Sequence, residues 1–170
     1  MASLMQELLE VLEQEEKQYE KLIELNDIKR DSVIKANIEE LGKVTTQEQE
    51  IASVLLNLSN KRGGILNDMA TVLGKEPKDM TINKMIGYLE NQPEEQKLLI
   101  ERRDRLLEVG TQMRMLNQQN EALLNQALEM VEFDLTLLRS MRQAPETANY
   151  NRNAYNTGDL LGSSGFDAKQ

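Results

Sequence analysis

Apolar residues recur along most of this chain at alternating steps of three and four, and that spacing admits few folds. The clearest run is Leu41, Val44, Glu48, Ile51, Leu55, Leu58, Arg62, Ile65, Met69 and Val72, broken only by Glu48 and Arg62. A mean period near 3.5 puts such side chains on one stripe of an α-helix, the seam along which helices wind on one another. An earlier run reads Leu8, Leu12, Glu15, Tyr19, Leu22, Asn26, Lys29 and Val33. Its polar members predict looser packing in its second half. Between the two, Asn37 followed by Glu40 is an N-cap with a carboxylate three residues on, the reciprocal capping arrangement. Gly63-Gly64 weakens the second helix by about 1 kcal/mol per glycine relative to alanine, and a kink is expected there.

The prolines Pro77, Pro93 and Pro145 fall between the periodic stretches, where a missing backbone donor ends helices. Thr81 is suited to cap a short helix over residues 82–90. Pro93 opens the last run, Leu99, Arg103, Leu106, Gly110, Met113, Asn117, Asn120, Leu124, Ala127, Val131, Leu135 and Leu138. A helix over residues 94–142 rises ~1.5 Å per residue and exceeds roughly 70 Å, too long for a compact globule. The spacing predicts an all-α fold: an elongated antiparallel helical bundle or coiled coil of three long helices and one short. This helical domain takes residues 1–142. Residues 143–170 are rich in Asn, Gly, Ser and Thr without helical period, the composition of a flexible C-terminal tail.

Composition narrows the chemistry. The 170 residues include no Cys and no His, so thiolate and imidazole nucleophiles, bases and metal sites are excluded, as is a disulfide framework. Trp is also absent and aromatics are 4% of the chain, as expected of helices packed on helices. The net charge is −9, and residues 1–28 supply much of it: Glu7, Glu10, Glu13, Glu15, Glu16, Glu20, Glu24 and Asp27 stand against Lys17 and Lys21. Binding nucleic acid or anionic membrane needs clustered Lys and Arg, so neither is an expected partner. Mean hydropathy is −0.56, and no apolar run approaches the ~18 residues of a spanning helix, so direct membrane insertion is not expected. The opening MASLMQELLEVLEQEE is acidic where a secretory leader is basic and then apolar, and a cytoplasmic location is expected.

Paired carboxylates are the remaining route to chemistry, since Glu-rich bundles can hold two metal ions, but those sites pair Glu with His. Glu15 and Glu48 fall on the seams. A hairpin turning near Ala36 sets them roughly 13 Å apart at ~1.5 Å per residue, too far to share an ion. Each is expected to reach water or a seam partner such as Asn26 or Arg62. Gly63-Gly64 lacks the strand before it and the Lys-Ser/Thr after it that a phosphate loop needs. No catalytic residue, cofactor or metal site is read, and the chain is not expected to be an enzyme. The polar seam residues Asn117, Asn120 and Arg103 are expected near water or bonded to one another, setting helix register.

Two features at the C-terminal end suit binding. Beside Val131, Leu135 and Leu138 runs a second apolar row, Met130, Phe133, Leu137 and Met141, roughly 120° round the helix at ~100° per residue. Such a wide face either touches two neighbouring helices of the bundle or walls a groove for an incoming amphipathic helix, where Met adapts to varied partners. The tail holds Tyr150, Tyr155 and Phe166, half of the six aromatics, with Leu160-Leu161. It is either a solvated terminus or a docking motif.

The segments LMQELLEVLEQEEKQYEKLIEL, KANIEELGKVTTQEQEI, KRGGILNDMA and NQQNEALLNQALEMV, in that order and followed by the Tyr- and Gly-bearing tail NAYNTGDLLGSSGFDAK, resemble the FlgN family of flagellar type III export chaperones over essentially the whole chain. The resemblance implies a cytoplasmic chaperone that binds the C-terminal helical segments of hook–filament junction (hook-associated) proteins and delivers them to the export apparatus. It implies client contact in the C-terminal part, which maps to Met130, Val131, Phe133, Leu137, Leu138 and Met141. Docking on the cytosolic part of the export gate, and on the export ATPase complex, would fall to the helical surface or to the tail motif Tyr150, Tyr155, Leu160 and Leu161. The rival reading is a dimeric coiled-coil scaffold or adaptor without an export role. The oligomeric state, monomer or homodimer, stays open.

Overall fold

Four α-helices account for nearly all the described residues of a computed structural model, which cover the backbone of residues 1–148 and the side chains of residues 1–142. In chain order they are α1 (Ala2–Ile34), α2 (Ile38–Val72), α3 (Ile82–Tyr88) and α4 (Pro93–Ala148), and no strand occurs among the described residues. The all-α helical bundle expected from the spacing is what forms, three long helices and one short.

The helix ends follow local chemistry. Asn37 caps α2, its side-chain oxygen accepting from the Glu40 N–H at 3.1 Å. The reciprocal half of the expected box does not form. The Asn37 N–H already donates to the Ser32 carbonyl at 2.9 Å, and the Glu40 carboxylate instead accepts from the Asn37 side-chain amide at 3.2 Å. Thr81 caps α3 by accepting from the Lys84 N–H at 3.2 Å. That helix stops at Tyr88, short of the expected residue 90, because the Leu89 N–H turns to the Ile86 carbonyl and the Gln92 N–H to that of Leu89. Pro93 opens α4, where the first turn's donors are unpaired anyway. α4 runs on to Ala148 instead of ending at Arg142. Pro145 lacks the N–H that would reach the Met141 carbonyl, and a helix so near its end forgoes little by losing it.

The chain divides after Leu123 into two units. In the first, Met1–Leu123, α1 and α2 form an antiparallel hairpin about the turn at residues 35–37. Lys29 pairs with Glu48 and Glu15 with Arg62 across 19 and 47 residues of sequence, and both pairs share one centre just past that turn. The core lies where α1 begins and α2 ends. Met5, Leu8, Val11 and Leu12 pack with Ile65, Leu66, Met69 and Ala70, and Met85 of α3, Leu89 and Leu99 of α4 close the cluster. Because α1 meets more than one neighbour here, its buried stripe is wider than a two-helix seam and takes in Met5 and Val11. Two seam positions of this unit read from the spacing lie outside instead: Val72 is exposed while Leu73 is half-buried, and Asn117 is exposed while Leu116 is half-buried. The helix continues through Gly63-Gly64 without interruption.

Candidate functional site

Within the first unit the polar seam residues are occupied with one another. Glu15 is only 3% exposed. Its carboxylate accepts from Arg62 Nη1 at 3.0 and 2.8 Å, and Arg62 Nη2 donates to the Ser59 hydroxyl at 3.5 Å. Burial pushes the Glu15 carboxyl above its ordinary range, and the Arg62 charge and hydrogen bonds pull the other way. Glu48 takes the Lys29 ammonium at 3.2 Å. The two seam carboxylates thus have separate cationic partners, and among the described residues no three acids gather as metal ligands would.

Asn26 is not a partner of Glu15. Its carbonyls receive Asn120, whose buried side-chain amide donates to the Asn26 backbone oxygen at 2.7 Å and to its Oδ1 at 3.0 Å. The Asn26 amide in turn donates to the Leu22 carbonyl at 2.9 Å. This asparagine pair ties α4 to α1 at one register. On the same side, Arg102 of α4 reaches Glu13 and Glu16 at 3.6 and 3.7 Å, so α4 runs in the direction of α1. Arg103 is held by the Asn83 and Asp104 side chains, each at 3.0 Å.

The second unit, as far as its side chains are described, is α4 from Leu124 to Arg142. Met130, Val131, Phe133, Leu137, Leu138 and Met141 are all exposed, from 49% at Leu137 to 68% at Met130. Neither row is covered among the described residues. Leu128 and Leu135 are exposed as well, and Leu128 continues the row of Val131, Leu135 and Leu138 at steps of three, four and three. Counting that row backward from Val131 would have found Leu128 in place of the small Ala127. Thr136 and Ser140 donate to the Glu132 and Thr136 carbonyls, so these hydroxyls fold back on the helix and add no competing hydrogen-bond demand to the apolar face. The expected docking motif Tyr150, Tyr155, Leu160 and Leu161 lies outside the described residues.

A wide apolar face on an otherwise charged helix is the form of a surface that binds other proteins. The family model described as FlgN protein matches residues 1–158, nearly the full length. The chain belongs to the FlgN family. No curated protein and no solved structure gives a match. The FlgN family is one of flagellar export chaperones, a family of chaperones and not of enzymes, so the chain's general role is in flagellum biogenesis and its partners are proteins of flagellar export. No helix among the described residues is long and apolar enough to cross a membrane. The FlgN match ends in the tail and includes both the apolar rows of α4 and Tyr150 and Tyr155.

Proposed function

We propose that this FlgN-family protein is a cytoplasmic chaperone for hook–filament junction proteins, holding their C-terminal helical segments until export. Met130, Val131, Phe133, Leu137, Leu138 and Met141 receive the client helix, whose own apolar stripe lies along the two rows of α4. The tail motif Tyr150, Tyr155, Leu160 and Leu161 docks on the cytosolic part of the export gate, and residues 143–170 act apart from the helical domain of 1–142. The observation that carries this reading is the exposure of six large apolar side chains within three turns of one helix, 49–68% each, in a member of an export-chaperone family. A client segment that is unfolded when free loses chain entropy on binding, which limits affinity and permits release at the gate.

Titrating the full chain with C-terminal peptides of hook–filament junction proteins tests this directly. Saturable binding is expected, with loss on removal of residues 128–170 and a large drop on Phe133→Ser with Leu137→Ser. Retained binding after those changes would overturn the site, and absence of binding to every such peptide would overturn the client class. The same samples by light scattering address the scaffold alternative. A stable dimer that buries Met130 and Phe133 and ignores the peptides would establish it.

A further inference from the structure

We propose a second docking site, built from none of the residues of the proposed client face or tail motif: a cleft in the first unit that takes an acidic, apolar-studded peptide segment of a partner protein. The cleft lies between α2, α3 and α4, with Tyr19 of α1 at its wall, and holds about 600 Å³, within the range of ligand-binding sites. Its lining includes Arg62, Arg103 and Arg114 and not one Asp or Glu, on a chain of net charge −9. Arg62 is committed to Glu15 behind the wall. Arg103 gives its Nε and Nη2 to Asp104 and one Nη1 proton to Asn83, which leaves two of its five N–H donors free. Arg114 is exposed and forms no ion pair among the described residues. The rim thus offers one guanidinium without an ion-pair partner among the described residues, Arg114, and unused donors on Arg103, groups that recognise carboxylates.

Two glycines add an independent observation. Gly63 of α2 and Gly110 of α4 sit in helix interiors, where glycine costs about 1 kcal/mol relative to alanine. A Cβ at either would meet nothing within 4 Å, so close helix packing does not require them. Both line the cleft, where any larger residue would occupy its volume. Leu66, Ile82 and Leu106 give the same cleft an apolar wall, which an inorganic anion would not use and an amphipathic peptide would.

The test is to pan a displayed library of random peptides, about twelve residues long, on the full chain, with counter-selection on an Arg114→Glu, Gly110→Leu variant. Recovered peptides are expected to combine Asp or Glu with Leu, Met or Phe. A recovered peptide made synthetically is expected to bind at least about tenfold more weakly to either single variant, and to lose affinity when its acids become amides or salt is raised. Arg105→Glu, an exposed change outside the cleft, and Met130→Ser with Phe133→Ser, in the proposed client face, are expected to leave binding intact. Circular dichroism keeps the comparison to folded protein; if either variant loses helix, Arg114→Gln and Gly110→Ala replace them. The proposal is overturned if no peptide distinguishes the wild type from the variant, if the recovered peptides lack acids, or if the client-face changes abolish binding.

Discussion

Ala36 holds the left-handed conformation, with φ of 54°, at the end of α1. The following Asn37 N–H reaches back five residues to the Ser32 carbonyl, the hydrogen bond that closes a helix when its terminal residue turns left-handed. At the end of α2 the same motif is built on Gly74, φ 66°, with the Lys75 N–H on the Ala70 carbonyl. An alanine there carries a Cβ–carbonyl clash that glycine lacks, worth about 1 kcal/mol. Ala36→Gly is therefore expected to stabilise by about 1 kcal/mol and Gly74→Ala to destabilise by as much, each read as a shift of the urea midpoint at unchanged slope. The break at residues 35–37 was legible from Asn37 and Glu40. The left-handed turn was not, because it is imposed by the hairpin that α1 and α2 close, and alanine gives no sign of it.

The Glu15–Arg62 pair makes the second prediction at this scale. Burial raises the Glu15 carboxyl above its unfolded value, so the proton is held more tightly in the folded state. The contribution of such a group favours folding fully below its unfolded pKa and is lost as pH rises through the folded one. Arg62 limits that loss at neutral pH. Arg62→Met leaves Glu15 charged, buried and alone, and is expected to cost about 2–3 kcal/mol at pH 7, less than for a fully buried pair because Arg62 is partly exposed. The cost is expected to shrink toward pH 4, where Glu15 takes up a proton. Urea unfolding at both pH values checks this, and an equal cost at both would assign Arg62 to packing by its aliphatic stem.

Among the elements, α4 is fixed to α1 by Asn120 and Asn26. Asn120→Leu removes the donor that serves the Asn26 carbonyls inside the bundle and is expected to cost about 1–3 kcal/mol. Asn26→Leu with Asn120→Leu is expected to recover most of that loss while admitting other registers, visible as doubled amide resonances. The spacing placed both asparagines on seams but could not say that they meet, since that depends on how far α4 slides along α1. It also could not choose between a step of three and a step of four after Met113. The helix turns Leu116 inward and Asn117 to water, as their polarity dictates. In α2, a fixed period of 3.5 drifts by ~20° per heptad from a straight helix, which is how Val72 ends outside and Leu73 half inside. Gly64 is exposed with open space around its Cβ position, so Gly64→Ala is expected to stabilise α2 by about 1 kcal/mol, read as a higher Tm.

Among the described residues, exposed apolar side chains such as Ile34, Ile38, Leu56 and Leu107 are scattered along the chain, but they gather into one dense stretch only from Leu128 to Met141. The fully buried members of the core cluster end at Leu99, with Leu106 packed against them, whereas Leu128, Met130, Val131, Phe133, Leu135, Leu137, Leu138 and Met141 are all exposed. Helical period alone cannot tell these apart, because a stripe that packs inside its own chain and a stripe that waits for a partner obey one spacing. What set the second stretch aside in the sequence was excess: two rows where one seam suffices. Burial makes the distinction measurable. Leu8 is fully buried, and Leu8→Ala is expected to cost about 2–5 kcal/mol through lost contacts and the cavity left behind. Replacing Met130, Phe133 and Leu137 together by Ser removes more apolar surface, yet is expected to shift stability by less than about 1 kcal/mol, because each of the three keeps about half or more of its surface in water. The same triple variant is expected to bind less of a fluorescent apolar dye and to self-associate less at high concentration, while Leu8→Ala leaves both unchanged so long as it stays folded. A large loss of stability in the triple variant would mean that these residues pack against a second copy in solution, and the concentration dependence of Tm in the wild type would then reveal it.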